Sequence, residues 1–160
     1  MGRAPRAHPL ARPIAAVDES SGEPIYHIVP ESELVRGIAC GGYTPARFTE
    51  DGFVHCAAGR DVVLAVADDY YAQTDGPVLL LRIDPTRLAA RLVFEAPVPI
   101  AGGGRSHLLP GTRFPHVYGP IVLSAVTGVG RLVQSAGHFE WPPEFAALDE
   151  AVRSVGTGSR

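Results

Sequence analysis

The chain predicts an α+β fold built on a split, mostly antiparallel or mixed β-sheet with a few short helices. Two observations lead there. Strand-forming stretches recur at Ile25–Val29, Gly52–Ala57, Val78–Ile83, Arg91–Glu95 and Ile121–Gln134. The helical patterns between them are few and short, whereas a doubly wound parallel sheet needs a crossover helix between successive strands.

Met1 to Pro24 carries Pro5, Pro9, Pro13 and the run Glu19-Ser20-Ser21-Gly22-Glu23-Pro24 without apolar periodicity, which predicts a flexible N-terminal arm over residues 1–24. Ile25 to Val29 suits a strand ended by Pro30. Glu31 to Ile38 is a short helix, with Gly41-Gly42 read as its cap, and Tyr43 to Glu50 is a loop entered through Thr44-Pro45. Along the strand Gly52–Ala57, a period of two sends Phe53, His55 and Ala57 to one face and Val54 and Cys56 to the other. Asp61 to Ala72 has Val62, Val63, Val66, Ala67 and Tyr70 at helical spacing, with Asp61 as N-cap and Gly76-Pro77 beyond the end.

Val78–Ile83 is almost entirely Val, Leu and Ile, as expected of a strand buried on both faces. Asp84-Pro85-Thr86 is a turn, and Arg87–Ala90 is a turn or short helical piece. Arg91, Val93 and Glu95 share one face of the next strand. Residues 97–113 form a polar insertion containing Gly102-Gly103-Gly104, read as a surface loop or lid. Ile121–Gln134, broken at Gly128, supplies one or two strands. Residues 25–134 thus make a single domain, and 135–160 a C-terminal extension with a helix around Glu144–Val155 docked by Trp141 and Phe145.

A length of 160 residues supports one domain with a full core. The net charge of −3 gives no reason to expect bulk nucleic-acid binding. All 14 basic residues are Arg, which excludes Schiff-base or Walker-type lysine chemistry. Cys40 and Cys56 make no disulfide framework, and no apolar run approaches the ~20 residues of a membrane span. The N-terminal arginines are followed by no continuous apolar stretch. These features predict a cytoplasmic protein with no membrane partner; the oligomeric state stays open.

Three histidines stand among apolar or small residues, in Ile25-Tyr26-His27-Ile28, in Gly52-Phe53-Val54-His55-Cys56 and in Phe114-Pro115-His116-Val117-Tyr118-Gly119-Pro120. Imidazole titrates nearest neutrality, so three that meet in one cleft make a site for proton transfer or ligand orientation. Taken singly, each is as well explained by a structural hydrogen bond. Phe53 beside His55 lowers its pKa by desolvation, leaving a neutral base or acceptor. The rigid turn around His116 suits either a ligand contact or a structural corner. Tyr43 and Arg47, in the loop between the first two motifs, can reach an anionic ligand. Metal is not expected, because no H-x-H or H-x-x-x-H pair is present. Nor can His55 activate Cys56, since neighbouring strand residues point to opposite faces.

These motifs, together with Leu81-Arg82-Ile83-Asp84-Pro85, Leu88 and Phe94-Glu95, resemble a small bacterial family known as domain of unknown function 952, over about Ile25 to Val133. The resemblance implies a fold like that of ADP-ribosyltransferases, nearest the branch of the RNA 2′-phosphotransferases, with a cleft for a nicotinamide dinucleotide. It implies that His27, on the first strand, contacts a ribose, and that His55 lies near the nicotinamide. Where the family often has Ser after the His-Cys pair, this chain has Ala57, and the transferase glutamate has no motif-level counterpart here.

The candidate catalytic residues are therefore His27, His55, His116 and Glu95, the last by chemistry only. The candidate ligand-binding residues are Tyr43, Arg47, Phe53, Tyr118 and Gly119, and no metal ligands are assigned. The expected function is an enzyme acting on a nucleotide-type or small polar ligand, with NAD the cofactor that the resemblance implies. The alternatives are a cofactor-independent acid–base enzyme (cyclase, isomerase or lyase) on a small metabolite and a non-catalytic ligand-binding module.

Overall fold

A five-stranded sheet in the order β11-β10-β6-β1-β5 organises the molecule. In the computed structural model, which describes residues 22–97 and 111–157, these strands are β1 (Ile25–Pro30), β5 (Ala57–Ala58), β6 (Val78–Ile83), β10 (Val126–Ser135) and β11 (His138–Glu140). Two small sheets accompany it. One runs β2-β3-β9, from Ile38–Ala39, Gly42–Tyr43 and Ile121–Val122; the other runs β4-β8-β7, from Val54–His55, Phe114–Tyr118 and Arg91–Glu95. Every pairing between these strands is antiparallel. The architecture is α+β, with four helices among the described residues: α1 (Glu31–Gly37), α2 (Phe48–Asp51), α3 (Arg60–Tyr70) and α4 (Leu148–Thr157). The N-terminal arm expected over 1–24 and the Gly-rich insertion expected over 97–113 fall almost wholly outside the described residues.

The central strand β6 is buried on both faces, as its composition requires. Leu79, Leu81 and Ile83 join a core with Ile25, Val29, Leu34, Tyr43 and Val54, under the two small sheets. Val78 and Leu80 face a second core with Ile28, Val62, Val63 and Ala67, under α3. Strand β1 pairs with β6 over its whole length, from Ile25 opposite Ile83 to Pro30 opposite Val78. On its other edge it pairs with β5 only through Ile25 and Tyr26. From His27 onward that edge has no strand partner among the described residues, and this gap is where the site forms.

Four local expectations are corrected. Gly41-Gly42 does not cap α1; Cys40 and Gly41, at φ 50° and 76°, form the tight turn of the β2–β3 hairpin. Two successive left-handed residues give the turn whose twist matches antiparallel strands, and this outcompetes a cap four residues past the helix. Tyr43 is accordingly a buried strand residue, and the expected loop that follows it contains α2, closed by Gly52 at φ 77°. The expected strand Gly52–Ala57 is two strands in two different sheets, because the chain leaves β8 and joins β1 around Cys56. The N-cap of α3 is Gly59 rather than Asp61, which lies in the first turn.

Toward the C-terminus, β11 completes the large sheet, and Trp141 and Phe145 pack on Tyr26, with Trp141 edge-on at 5.1 Å between ring centroids. The docking expected of these two aromatics is present, but the helix they precede begins at Leu148 rather than near Glu144. Ala146 is held in extended pairing with Val129, by backbone hydrogen bonds of 2.8 and 2.9 Å, so the helix can start only beyond it. Among the described residues, no helix is long and apolar enough to cross a membrane.

Candidate functional site

His27, His55 and His116, separated by tens of residues in the chain, line one cavity of about 470 Å³ at the open edge of β1. His27 is buried, 5% exposed. Its Nδ1–H donates to the His55 carbonyl at 2.7 Å, and its Nε2 accepts from the Tyr43 hydroxyl at 3.1 Å. The carbonyl cannot donate, so the first contact fixes the tautomer and the second follows from it. An imidazole thus replaces the strand–strand hydrogen bond that β1 lacks beyond Tyr26, and it joins the large sheet to β4. Burial pushes the His27 pKa down to about 4, against the smaller opposing effect of the His55 carbonyl.

His55 and His116 sit opposite each other in the β4–β8 ladder, their ring centroids 5.4 Å apart at 75°. Each is held by a carboxylate. His55 Nε2 donates to Asp51 Oδ2 at 3.0 Å, and His116 Nδ1 donates to Glu95 Oε2 at 2.7 Å. Asp51 reaches His55 because α2 is a single turn closed by left-handed Gly52, which brings the chain back on itself within four residues. Glu95 reaches His116 because β7 pairs with β8, placing Glu95 opposite Phe114 and Val93 opposite His116.

Phe53 closes the outer side, stacked on His116 at 4.1 Å and 24° and lying 4.6 Å from the His55 ring. Desolvation lowers the His55 pKa, and the hydrogen bond and charge of Asp51 oppose that shift. Glu95 also accepts from the Tyr118 hydroxyl at 2.5 Å, and the Arg91 guanidinium lies 4.6 Å above the Tyr118 ring. The Tyr118 bond first, and the His116 bond next, hold the Glu95 carboxyl below its ordinary range.

Each of these two imidazoles keeps one ring nitrogen without a protein hydrogen bond among the described residues: Nδ1 on His55 and Nε2 on His116. No buried polar side-chain atom of a described residue lacks a partner. The His116 side chain is only 2% exposed. Its free nitrogen must therefore open on space that solvent reaches, and the cavity is the space His116 lines.

Of the residues singled out in the sequence, His27, His55, His116 and Arg47 line the cavity. Arg47 stands at its rim, half-exposed, 3.5 Å from Asp51 and 3.7 Å from Glu50. Phe53, Glu95 and Tyr118 lie behind His116 and support it. Tyr43 is 1% exposed with its hydroxyl committed to His27, so it does not line the space. Gly119 packs against Ala90, where a Cβ would come within 2.8 Å of the alanine methyl. Ala57, standing where the family often has Ser, faces the cavity. Cys56 is buried and its thiol pKa is pushed up by desolvation, which keeps it a protonated core residue.

Asp51, which holds His55, is a site residue that sequence reasoning missed. Its signal was an Asp-Gly pair four residues before a histidine, meaningful only once a helical turn is known to end there. Glu33, Asp69 and Tyr70, contributed to the cavity by α1 and α3, carried no signal at all.

Fold and site together define a small α+β protein with a histidine-lined cleft where its central sheet loses a strand partner. The chain belongs to the family described as protein of unknown function DUF952, whose profile matches residues 28–129. Among solved structures it is similar to protein CC0527 from Caulobacter crescentus. That crystal structure is 27% identical with a TM-score of 0.49, and the match covers 73% of this chain and 93% of that one. The solution NMR structure of CC0527 is 26% identical with a TM-score of 0.48, over 72% and 90% of the two chains. No curated protein matches the chain.

Proposed function

We propose that the protein is an enzyme that performs general acid–base chemistry on a small polar ligand, with His55 and His116 as the proton-transferring residues. One observation carries this reading: two facing imidazoles, each tethered through one nitrogen to a carboxylate, each leave the other nitrogen unpaired at one cavity. A carboxylate behind an imidazole fixes its tautomer and offsets the positive charge it acquires on taking a proton. His55, desolvated by burial, can accept a proton at Nδ1, and His116, whose Nδ1–H is committed to Glu95, presents Nε2 as a second acceptor; whichever ring takes a proton from the ligand can return it at another atom. Glu95, Asp51 and Tyr118 act through these histidines as positioning residues. His27 is the scaffold of the site, because both its nitrogens are already engaged within the protein.

A second reading, NAD-dependent transfer on an ADP-ribosyltransferase-like fold, draws support from His27 and His55 lining one cavity at the positions the family motifs imply. In it His27 would hold a ribose hydroxyl, and for that Tyr43 must first release Nε2. This requirement favours the acid–base reading.

The test is a screen of small metabolites for turnover, followed by His55→Ala, His116→Ala and His27→Ala on any hit, with calorimetric titration of NAD in parallel. The acid–base reading expects both outer variants to lose activity by roughly two to four orders of magnitude while remaining folded. Full activity in either removes that residue from the mechanism. Saturable NAD binding lost in His27→Ala would replace this reading with the transferase one.

A further inference from the structure

We infer that the ligand of this cleft is a small organic cation, bearing an ammonium or guanidinium group held by Glu33 and Asp69, and not a phosphate-bearing nucleotide. The inference rests on the acid–base reading above and specifies what enters the site.

Among the described residues, the charged side chains of the cavity wall are three carboxylates, Glu33, Asp51 and Asp69, against one cation, Arg47. Asp51 and Arg47 are accounted for, since they pair with each other and with His55 and Glu50. Glu33 and Asp69 are not. Both are partly buried, and neither side chain makes a hydrogen bond or ion pair among the described residues. They come from different elements, α1 and α3, and line the same cavity.

A phosphate or pyrophosphate in this space meets two carboxylates unpaired among the described residues, and the one lining guanidinium among those residues is already paired with Asp51 and Glu50. An ammonium or guanidinium meets the opposite: two carboxylates without partners among the described residues, in a wall that also carries Tyr26, Tyr70 and Tyr71. The second, independent pointer to a ligand is His116, whose deeply buried side chain keeps one nitrogen unpaired at the same cavity. The two features divide the cavity by role. The carboxylates come from α1 and α3, whereas His55 and His116 come from the facing strands β4 and β8. The cation would thus be anchored at the α1–α3 side while the reacting centre lies against the imidazoles.

The experiment compares agmatine, which carries an ammonium and a guanidinium, with adenosine monophosphate and inorganic phosphate. Affinity is read by calorimetry, and the ring signals of His55 and His116 are followed by NMR. Agmatine is expected to bind, with affinity falling roughly tenfold or more in each of Glu33→Gln and Asp69→Asn. Neither side chain has a protein partner to lose, so both variants should fold, with circular dichroism as the control. Failure of agmatine to bind at millimolar concentration overturns the inference, as does undiminished binding in the two variants. Nucleotide or phosphate binding that shifts the two ring signals also overturns it, yet leaves the acid–base reading intact. Carboxylate-dependent agmatine binding that leaves both ring signals unmoved has the reverse meaning: the cation site stands and the acid–base reading fails.

Discussion

His55 and His116 are register partners across the β4–β8 ladder, and each is anchored from behind by a carboxylate that arrives from a different element. A ladder pair is among the most rigid relationships a fold can offer two side chains, because backbone pairing sets the spacing before any side-chain contact forms. The separation of the two rings is therefore a property of the sheet, while their tautomers are a property of Asp51 and Glu95.

Acid should weaken the fold through His27. Its pKa is about 4 in the folded protein against 6.5 for an unperturbed imidazole, mainly through burial. The unfolded chain thus binds a proton that the folded one refuses. The stabilisation is fully present above about pH 6.5 and is lost as the pH falls through about 4, a change on the order of 3 kcal/mol. His55, also depressed, adds with the same sign. Urea midpoints measured across this range should fall with pH, and His27→Gln should flatten that dependence; an equal slope in the variant would show that other groups carry it.

Removing the ring of His27 should also cost stability near neutral pH. His27→Ala leaves the His55 carbonyl and the Tyr43 hydroxyl without their partner in a buried place and opens a cavity. The expected loss is about 2–4 kcal/mol, read from denaturant unfolding. A loss under about half a kcal/mol would mean that the two sheets are joined by other contacts.

Asp51→Asn should lower the His55 pKa further, since the Asp51 hydrogen bond and charge are what oppose its desolvation. NMR titration of the His55 ring measures this directly. A shift upward, or none, would contradict the Asp51 pairing. Turnover, once a substrate is found, should drop together with the shifted pH profile. The fold should persist, because asparagine keeps the shape of aspartate and no core contact is removed.

Tyr118→Phe removes the strongest of the interactions that depress Glu95. The Glu95 carboxyl should titrate at higher pH in the variant, observable by carbon NMR of the side chain. The His116 hydrogen bond remains in the variant, so the effect on activity should be smaller than that of Glu95→Gln. Equal effects would show that Tyr118 acts on the ligand itself.

Gly37→Ala tests how Tyr43, and through it His27, is held in place. A Cβ at this position would lie 2.5 Å from the Thr44 carbonyl oxygen and 2.5 Å from the Tyr43 ring. Backbone cannot yield as a flexible side chain does, so destabilisation of about 1–3 kcal/mol is expected. Tyr43 should move with it, and the ring signals of His27 should shift. A neutral substitution would show that the β2–β3 hairpin is freer than its burial suggests.

Much of the architecture was legible in residue order. Val78–Ile83 reads as a doubly buried strand because a single polar side chain, Arg82, interrupts it, and it is the centre of the sheet. Arg91, Val93 and Glu95 were assigned to one face by period alone, and the Glu95–His116 bond depends on that face being shared with β8. The motifs around His27, His55 and His116 were recognisable as a set because imidazoles among apolar residues are costly unless something uses them.

Other features were beyond a linear reading. Whether Gly52–Ala57 is one strand or two depends on which sheet competes for Cys56, a choice made by β1 and β8 from distant parts of the chain. Local propensity sets period, capping and burial tendency, and these belong to the residues themselves. Which imidazole faces the ligand and which serves as scaffold is a different kind of fact. His27 and His55 have similar neighbours in sequence, yet Tyr43 and a backbone carbonyl consume one of them while the other keeps a nitrogen free. That distinction, and the arrival of Glu33 and Asp69 beside the same cavity, comes from long-range packing, where each group's role is set by what remains unsatisfied after the chain has closed around it.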